Sequence, residues 1–171
     1  MRDQPHVGAP TRQAAVLTAI VELAPSLPWI DAIVLVGSMA DDEADALSDI
    51  DLIVVASEGA SADAWAGRHQ LAATGALYSW DERPDESREI GAHRWLTPDM
   101  VVVEALIATA SSGVRLARPW QLVFGDASAP ARLVQRAPIA RSELAQREAH
   151  PVEAAYDALR AAVRAAAAGA D

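Results

Sequence analysis

Val36-Gly37-Ser38 and, ten residues after that serine, Ser48-Asp49-Ile50-Asp51-Leu52-Ile53-Val54-Val55 decide how this chain folds. Ala32 to Val36 is a short β-branched run that reads as a buried strand closed by Gly37-Ser38, and Asp49 to Ala56 reads as its partner. Strand side chains alternate between faces, so Asp49 and Asp51 share one face while Ile50 and Leu52 turn to a core on the other. Two carboxylates side by side repel each other unless a cation sits between them. A hard divalent ion with oxygen ligands, Mg²⁺ above all, meets that need and usually brings phosphate with it. Ser38, just past the first strand, sits in a small turn that exposes backbone N–H groups to an anion. The competing reading is a solvated edge strand whose acids discourage aggregation; a Gly-Ser pair at this distance favours the metal site. Metal carboxylates facing a phosphate-binding turn imply phosphoryl or nucleotidyl transfer.

The stretch from Val36-Gly37-Ser38 through Ser48-Asp49-Ile50-Asp51-Leu52 resembles the signature of the DNA polymerase β-like nucleotidyltransferase superfamily. In pattern it is nearest to the small stand-alone and antibiotic nucleotidyltransferases. The resemblance is strong over Ile33 to Val55, weaker from His93 to Asp126, and absent from the C-terminal tail. It implies an α/β (α+β) nucleotidyltransferase fold, a mixed sheet with helices packed on one face. It also implies transfer of NMP from an NTP with two Mg²⁺ ions, Asp49 and Asp51 holding metal and Gly37, Ser38 and Ser48 lying at the nucleotide. The spacer departs from the family's pattern: Asp41 and Asp42 stand where Arg and Gly are usual, in the run Met39-Ala40-Asp41-Asp42-Glu43-Ala44-Asp45. Acids beside a triphosphate repel it, strongly if desolvated and weakly if solvated. Either an Arg elsewhere supplies the missing charge, or triphosphate binding is weakened.

A chain of 171 residues, 51% hydrophobic and 22% charged, is long enough to bury one substantial core. Its net charge is −10 and all 14 basic residues are arginine. An acidic chain without a basic stripe is a poor duplex binder, so no duplex nucleic acid is expected as a partner. The absence of cysteine excludes disulfides, thiolate zinc sites and cysteine nucleophiles. Met1-Arg2-Asp3-Gln4-Pro5 lacks the apolar centre of a signal peptide, and no run approaches bilayer-spanning length. No membrane contact and a soluble, cytoplasmic protein are the expectation. One glycine after a strand is too little for a dinucleotide fold. The acid pair precedes its apolar run, unlike the pairs of haloacid dehalogenase-like phosphatases and many glycosyltransferases.

Residues 1–10 read as a flexible lead-in, 11–126 as the nucleotidyltransferase core, and 127–171 as a helical segment of the same domain. Ala14, Val16, Leu17, Ile20, Val21 and Leu23 predict a helix ending before Pro25. A second helix is predicted over Gly59 to Ala73 with Ser61 as N-cap. Ala76 to Trp80, Trp95 to Thr97, Met100 to Thr109 and Trp120 to Phe124 read as strands, with Pro98-Asp99 a tight turn. Pro151 to Ala168 reads as one Ala-rich helix.

Two-metal nucleotidyl transfer needs a further acid that binds metal and takes the acceptor's proton. Glu104, within Met100-Val101-Val102-Val103-Glu104-Ala105-Leu106-Ile107-Ala108, is the candidate. A charge in such a run is costly alone, so Glu104 either binds metal or pairs with a buried Arg such as Arg94. Among Arg88, Arg94 and Arg115, each of which reads individually as solvated surface, Arg94 is the choice for the triphosphate. His69 and His93 lack metal-ligand spacing, and the tryptophans read as core or interface anchors. Two readings emerge. One is a metal-dependent transferase acting on a hydroxyl of a small antibiotic-like molecule or a protein, ATP being the first donor to test. The other is a degenerate binding module, such as an antitoxin-like partner of a helical protein. The short C-terminal region leaves no room for a separate acceptor domain, so a homodimer or small protein partner is expected.

Overall fold

A computed structural model of the chain describes residues 11–41, 43–85, 90–136 and 151–168. The apolar alternation builds six strands into one sheet: β1 (Ile30–Val36), β2 (Ile50–Ala56), β3 (Tyr78–Asp85), β4 (Ile90–Leu96), β5 (Val102–Thr109) and, after the short β6 (Arg115–Ala117), β7 (Gln121–Gly125). Their order across this mixed sheet is β3-β4-β5-β2-β1-β7. β6 stands apart and forms a small parallel pair with β8 (Val134–Arg136). β1 and β2 run antiparallel as the motif spacing requires, and β2 runs parallel to β5.

The central strands are apolar on both sides because each side has its own core. Ile33 and Leu35, Ile50, Leu52 and Val54, and Val103, Ala105 and Ile107 face helices α1 (Thr11–Leu23) and α2 (Ser61–Gly67) and the 3₁₀ run Arg68–Thr74. Ala32, Val34, Ile53, Val55 and Ala108 face the other way, toward Val114, Leu116 and the short helix α3 (Ser128–Arg132). That second core covers only one end of its face. The other end carries the polar residues of the motifs.

The predicted helix over Gly59 to Ala73 divides at Gly67, after which the chain tightens to 3₁₀. A Cβ on Gly67 would lie 2.8 Å from Trp29 Nε1, so the indole packs against bare backbone there. Ser61 is the first helical residue rather than the cap: Ala60 holds that position with no side-chain bond. β4 begins at Ile90, well ahead of the predicted Trp95, and pairs with β5 across the turn where Thr97 N–H donates to Val101 O at 2.9 Å. β6 and β8, at three residues each, are too short to have shown a period in the sequence. The expectation for residues 1–10 lies outside the described residues. The sheet unit extends through Pro138, so α3 and β8 belong to it. Ile139–Asp171 forms a second unit, whose helix α4 (Pro151–Ala168) matches the prediction. Among the described residues no helix is long and apolar enough to cross a membrane.

Candidate active site

Strand pairing aligns the motif residues in one row across the sheet. Val36 of β1 lies opposite Asp51 of β2, Asp51 beside Glu104 of β5, Glu104 opposite Arg94 of β4, and Arg94 opposite Trp80 of β3. Neighbouring strands are about 4.8 Å apart, so Asp51 and Glu104 are lateral neighbours on one face. Asp49, half-buried, lies just before the strand, two residues ahead of Asp51.

Gly37 closes the row on the β1 side. Its φ is +70°, and a Cβ there would lie 2.2 Å from Asp51 Oδ2. The turn therefore needs glycine twice, for its left-handed backbone and for the closeness of the carboxylate. Gly37–Ala40 forms one 3₁₀ turn, tightened because Asp41 and Glu43 N–H both donate to Ser38 O, at 3.3 and 3.1 Å. Gly37→Ala is expected to destabilise the protein by about 1–2 kcal/mol from the backbone alone and to push Asp51 aside. Urea denaturation measures the first effect, and Mg²⁺-dependent nucleotide binding reads the second.

Arg94 and Glu104 meet. Arg94, 1% exposed, donates from Nε to Glu104 Oε2 at 2.8 Å and from Nη1 to Glu82 Oε2 at 2.6 Å. The alternative raised for Glu104, pairing with Arg94, is thus present, and the guanidinium chosen for the triphosphate is held between two carboxylates. Ser48 is 5% exposed, and its hydroxyl accepts from Asp45 N–H at 2.9 Å and reaches Asp45 Oδ1 at 3.1 Å. Its polar atoms thus serve the loop that launches β2. Arg115 is exposed on β6, and Arg88 and Asp42 lie outside the described residues. Asp41, Glu43 and Asp45 are exposed, so water screens their repulsion of an anion.

Glu82, Arg12 and Gln13 belong to this region without having stood out in the sequence. Gln13 had a signal, since a polar residue four positions before Leu17 stands on the helix's buried stripe.

The opposite face of β4 carries a second polar cluster. His93, fully buried, has Nδ1 2.7 Å from Asp81 Oδ1, and Arg68 donates to both Asp81 oxygens at 2.9 and 2.8 Å. The Arg68 hydrogen bonds hold the Asp81 pKa down, to about 2. Burial lowers that of His93 against the opposing pull of Asp81. A depressed histidine takes up protons more readily unfolded than folded, so stability falls as pH drops below the unfolded value of about 6.5. Asp81 adds stability that is lost at far lower pH, between the unfolded aspartate value and its own. Urea midpoints are expected to fall between pH 7.5 and 5.5, and His93→Gln to flatten that slope.

Mg²⁺ is bound by one or two carboxylates plus phosphate oxygens rather than by an all-protein cage. Among the described residues no group of three acids or histidines is arranged to hold a metal. The Asp51 oxygen fills the space a Gly37 Cβ would take, beside the turn, which leaves a carboxylate there of the kind such an ion uses.

A sheet carrying acids on β2 and β5 beside a glycine turn is the arrangement of a nucleotidyl-transferring fold. A profile described as a nucleotidyltransferase domain matches residues 15–119, more than half of the chain, and the protein belongs to that family. The activity that defines this family is transfer of a nucleoside monophosphate. No curated protein matches the chain.

Proposed function

We propose that the protein is a metal-dependent nucleotidyltransferase moving NMP from an NTP to a hydroxyl of a small, antibiotic-like molecule or a protein. The observation that carries this reading is the lateral pair Asp51–Glu104 beside the Gly37 turn. Asp49 and Asp51 would hold Mg²⁺, which when bound neutralises charge on the reacting phosphate. Gly37 and Ser38 would present backbone N–H groups to the phosphates. Glu104, next to Asp51, would complete the site and take the proton of the acceptor hydroxyl as its oxygen bonds to the α-phosphorus and pyrophosphate leaves. Arg94 keeps Glu104 in place, and Ser48 steadies the start of β2. A homodimer would supply the remaining acceptor surface.

Two observations favour a second reading, a non-catalytic binding module. Arg94 engages Glu104 from inside the sheet, and the spacer carries acids where family members carry a base. Calorimetric titration with ATP, GTP, CTP and UTP, with and without Mg²⁺, separates the two. Mg²⁺-dependent binding, followed by label transfer from an α-labelled NTP, supports the enzyme. A folded protein that binds none of the four supports the module.

A further inference from the structure

Gln13 sits on the buried stripe of α1 with Leu17 and Ile20, and is 1% exposed. Its amide nitrogen donates to the carbonyls of Ser48 at 2.9 Å, Ala46 at 3.2 Å and Asp45 at 3.4 Å, sharing its hydrogens among them. The reverse amide orientation would set oxygen against three carbonyl oxygens, so the surroundings fix the nitrogen here. Oε1 is buried with no partner among the described residues, a cost the helix accepts while the nitrogen grips the loop. Arg12 adds a second tie, donating to Ala46 O at 2.7 Å and to Asp99 O, in the β4–β5 turn, at 3.1 Å. The first turn of α1 thus gathers the two loops that flank the starts of β2 and β5.

The gripped carbonyls lie directly ahead of the first metal-site aspartate. The Ser48 carbonyl belongs to the rigid peptide unit that carries the Asp49 N–H. An irregular loop has no ladder to orient that unit, and α1, anchored by its apolar face, does so instead. We infer that Gln13, braced by Arg12, is a positioning residue for nucleotidyl transfer: it fixes the peptide plane entering Asp49 and thereby sets the Asp49–Asp51 pair. This inference rests on the proposed metal role of those aspartates.

The test compares wild type, Gln13→Met, Arg12→Met and Ser57→Ala by calorimetric titration with each of the four NTPs, with and without Mg²⁺, alongside thermal unfolding. Methionine keeps the length of glutamine and removes its donors. Ser57 bonds Asp31 at the far end of the sheet, so Ser57→Ala lowers stability away from the site. Gln13→Met is expected to weaken Mg²⁺-dependent binding by at least about tenfold, as loss of a group orienting a metal ligand does. Arg12→Met should weaken it a few-fold, and Ser57→Ala should leave it unchanged while lowering Tm. Wild-type affinity in Gln13→Met, or an equal loss in Ser57→Ala, overturns the inference. Should Gln13→Met fail to fold, the exposed Arg12 carries the test, and wild-type affinity in Arg12→Met overturns it. If the wild type itself binds no NTP with Mg²⁺, the proposed function falls first and the inference with it, which is visible before any variant is made.

Discussion

Asp51→Asn abolishes Mg²⁺-dependent transfer, with an expected fall of about a thousandfold in rate, and leaves the fold intact. The magnitude follows from several kcal/mol of charge stabilisation at the reacting phosphate, each 1.36 kcal/mol being a factor of ten. Asparagine keeps the shape that fits against Gly37, removes the charge and turns one acceptor oxygen into an NH2 donor. Asp51 and Glu104 are like charges on adjacent strands, and such pairs destabilise. The variant's melting temperature without Mg²⁺ is therefore expected to match or exceed that of the wild type, while the gain on adding Mg²⁺ and NTP disappears. Asp49→Asn should behave alike. Wild-type transfer by either variant, measured with α-labelled NTP, removes both aspartates from the site.

Arg94→Met has the largest expected effect on stability. The guanidinium is buried between Glu104 and Glu82, whose side chains are 25% and 38% exposed. Removing one member of a buried ion pair leaves uncompensated charge behind, at a cost on the order of 3 kcal/mol. For a domain of this size that lowers Tm by roughly 10 °C. Lysine should recover only part of the loss, because a point charge cannot serve two carboxylates with the fixed fork of arginine. Glu82→Gln should cost far less, since Glu82 reaches water. A Tm within about two degrees of wild type for Arg94→Met would show that the pair contributes little.

The central motif was legible because its information is local. Alternation marked the face of Asp51, although the strand begins only at Ile50 and Asp49 lies just ahead of it, and a charge inside an apolar run singled out Glu104. Gly37 needed only its place after a buried strand. What the sequence concealed depends on contacts between distant segments. For Arg94 the sequence raised Glu104 as a possible partner beside the triphosphate role, but Glu82 on the other side of it appears only once β3 is paired with β4. Ser48 sits inside the family signature, yet its hydroxyl turns to Asp45, three residues away, because the loop must satisfy its own backbone. Gln13 grips carbonyls more than thirty residues along, and only its position on the buried stripe of α1 hints at that. The packing of Trp29 against the bare backbone of Gly67, where the second helix divides, is likewise a contact between distant segments that no local pattern announces.

Consecutive residues of β4, His93 and Arg94, point to opposite faces of the sheet, and each finds a carboxylate on β3, Asp81 on one side and Glu82 on the other. Sliding β3 past β4 by one position would turn every side chain of the shifted strand over. Asp81 would leave histidine for the face of Arg94, and Glu82 would enter the helix-covered side. The alignment of this hairpin is therefore fixed on both faces at once, because a one-residue slip would part both charge pairs together.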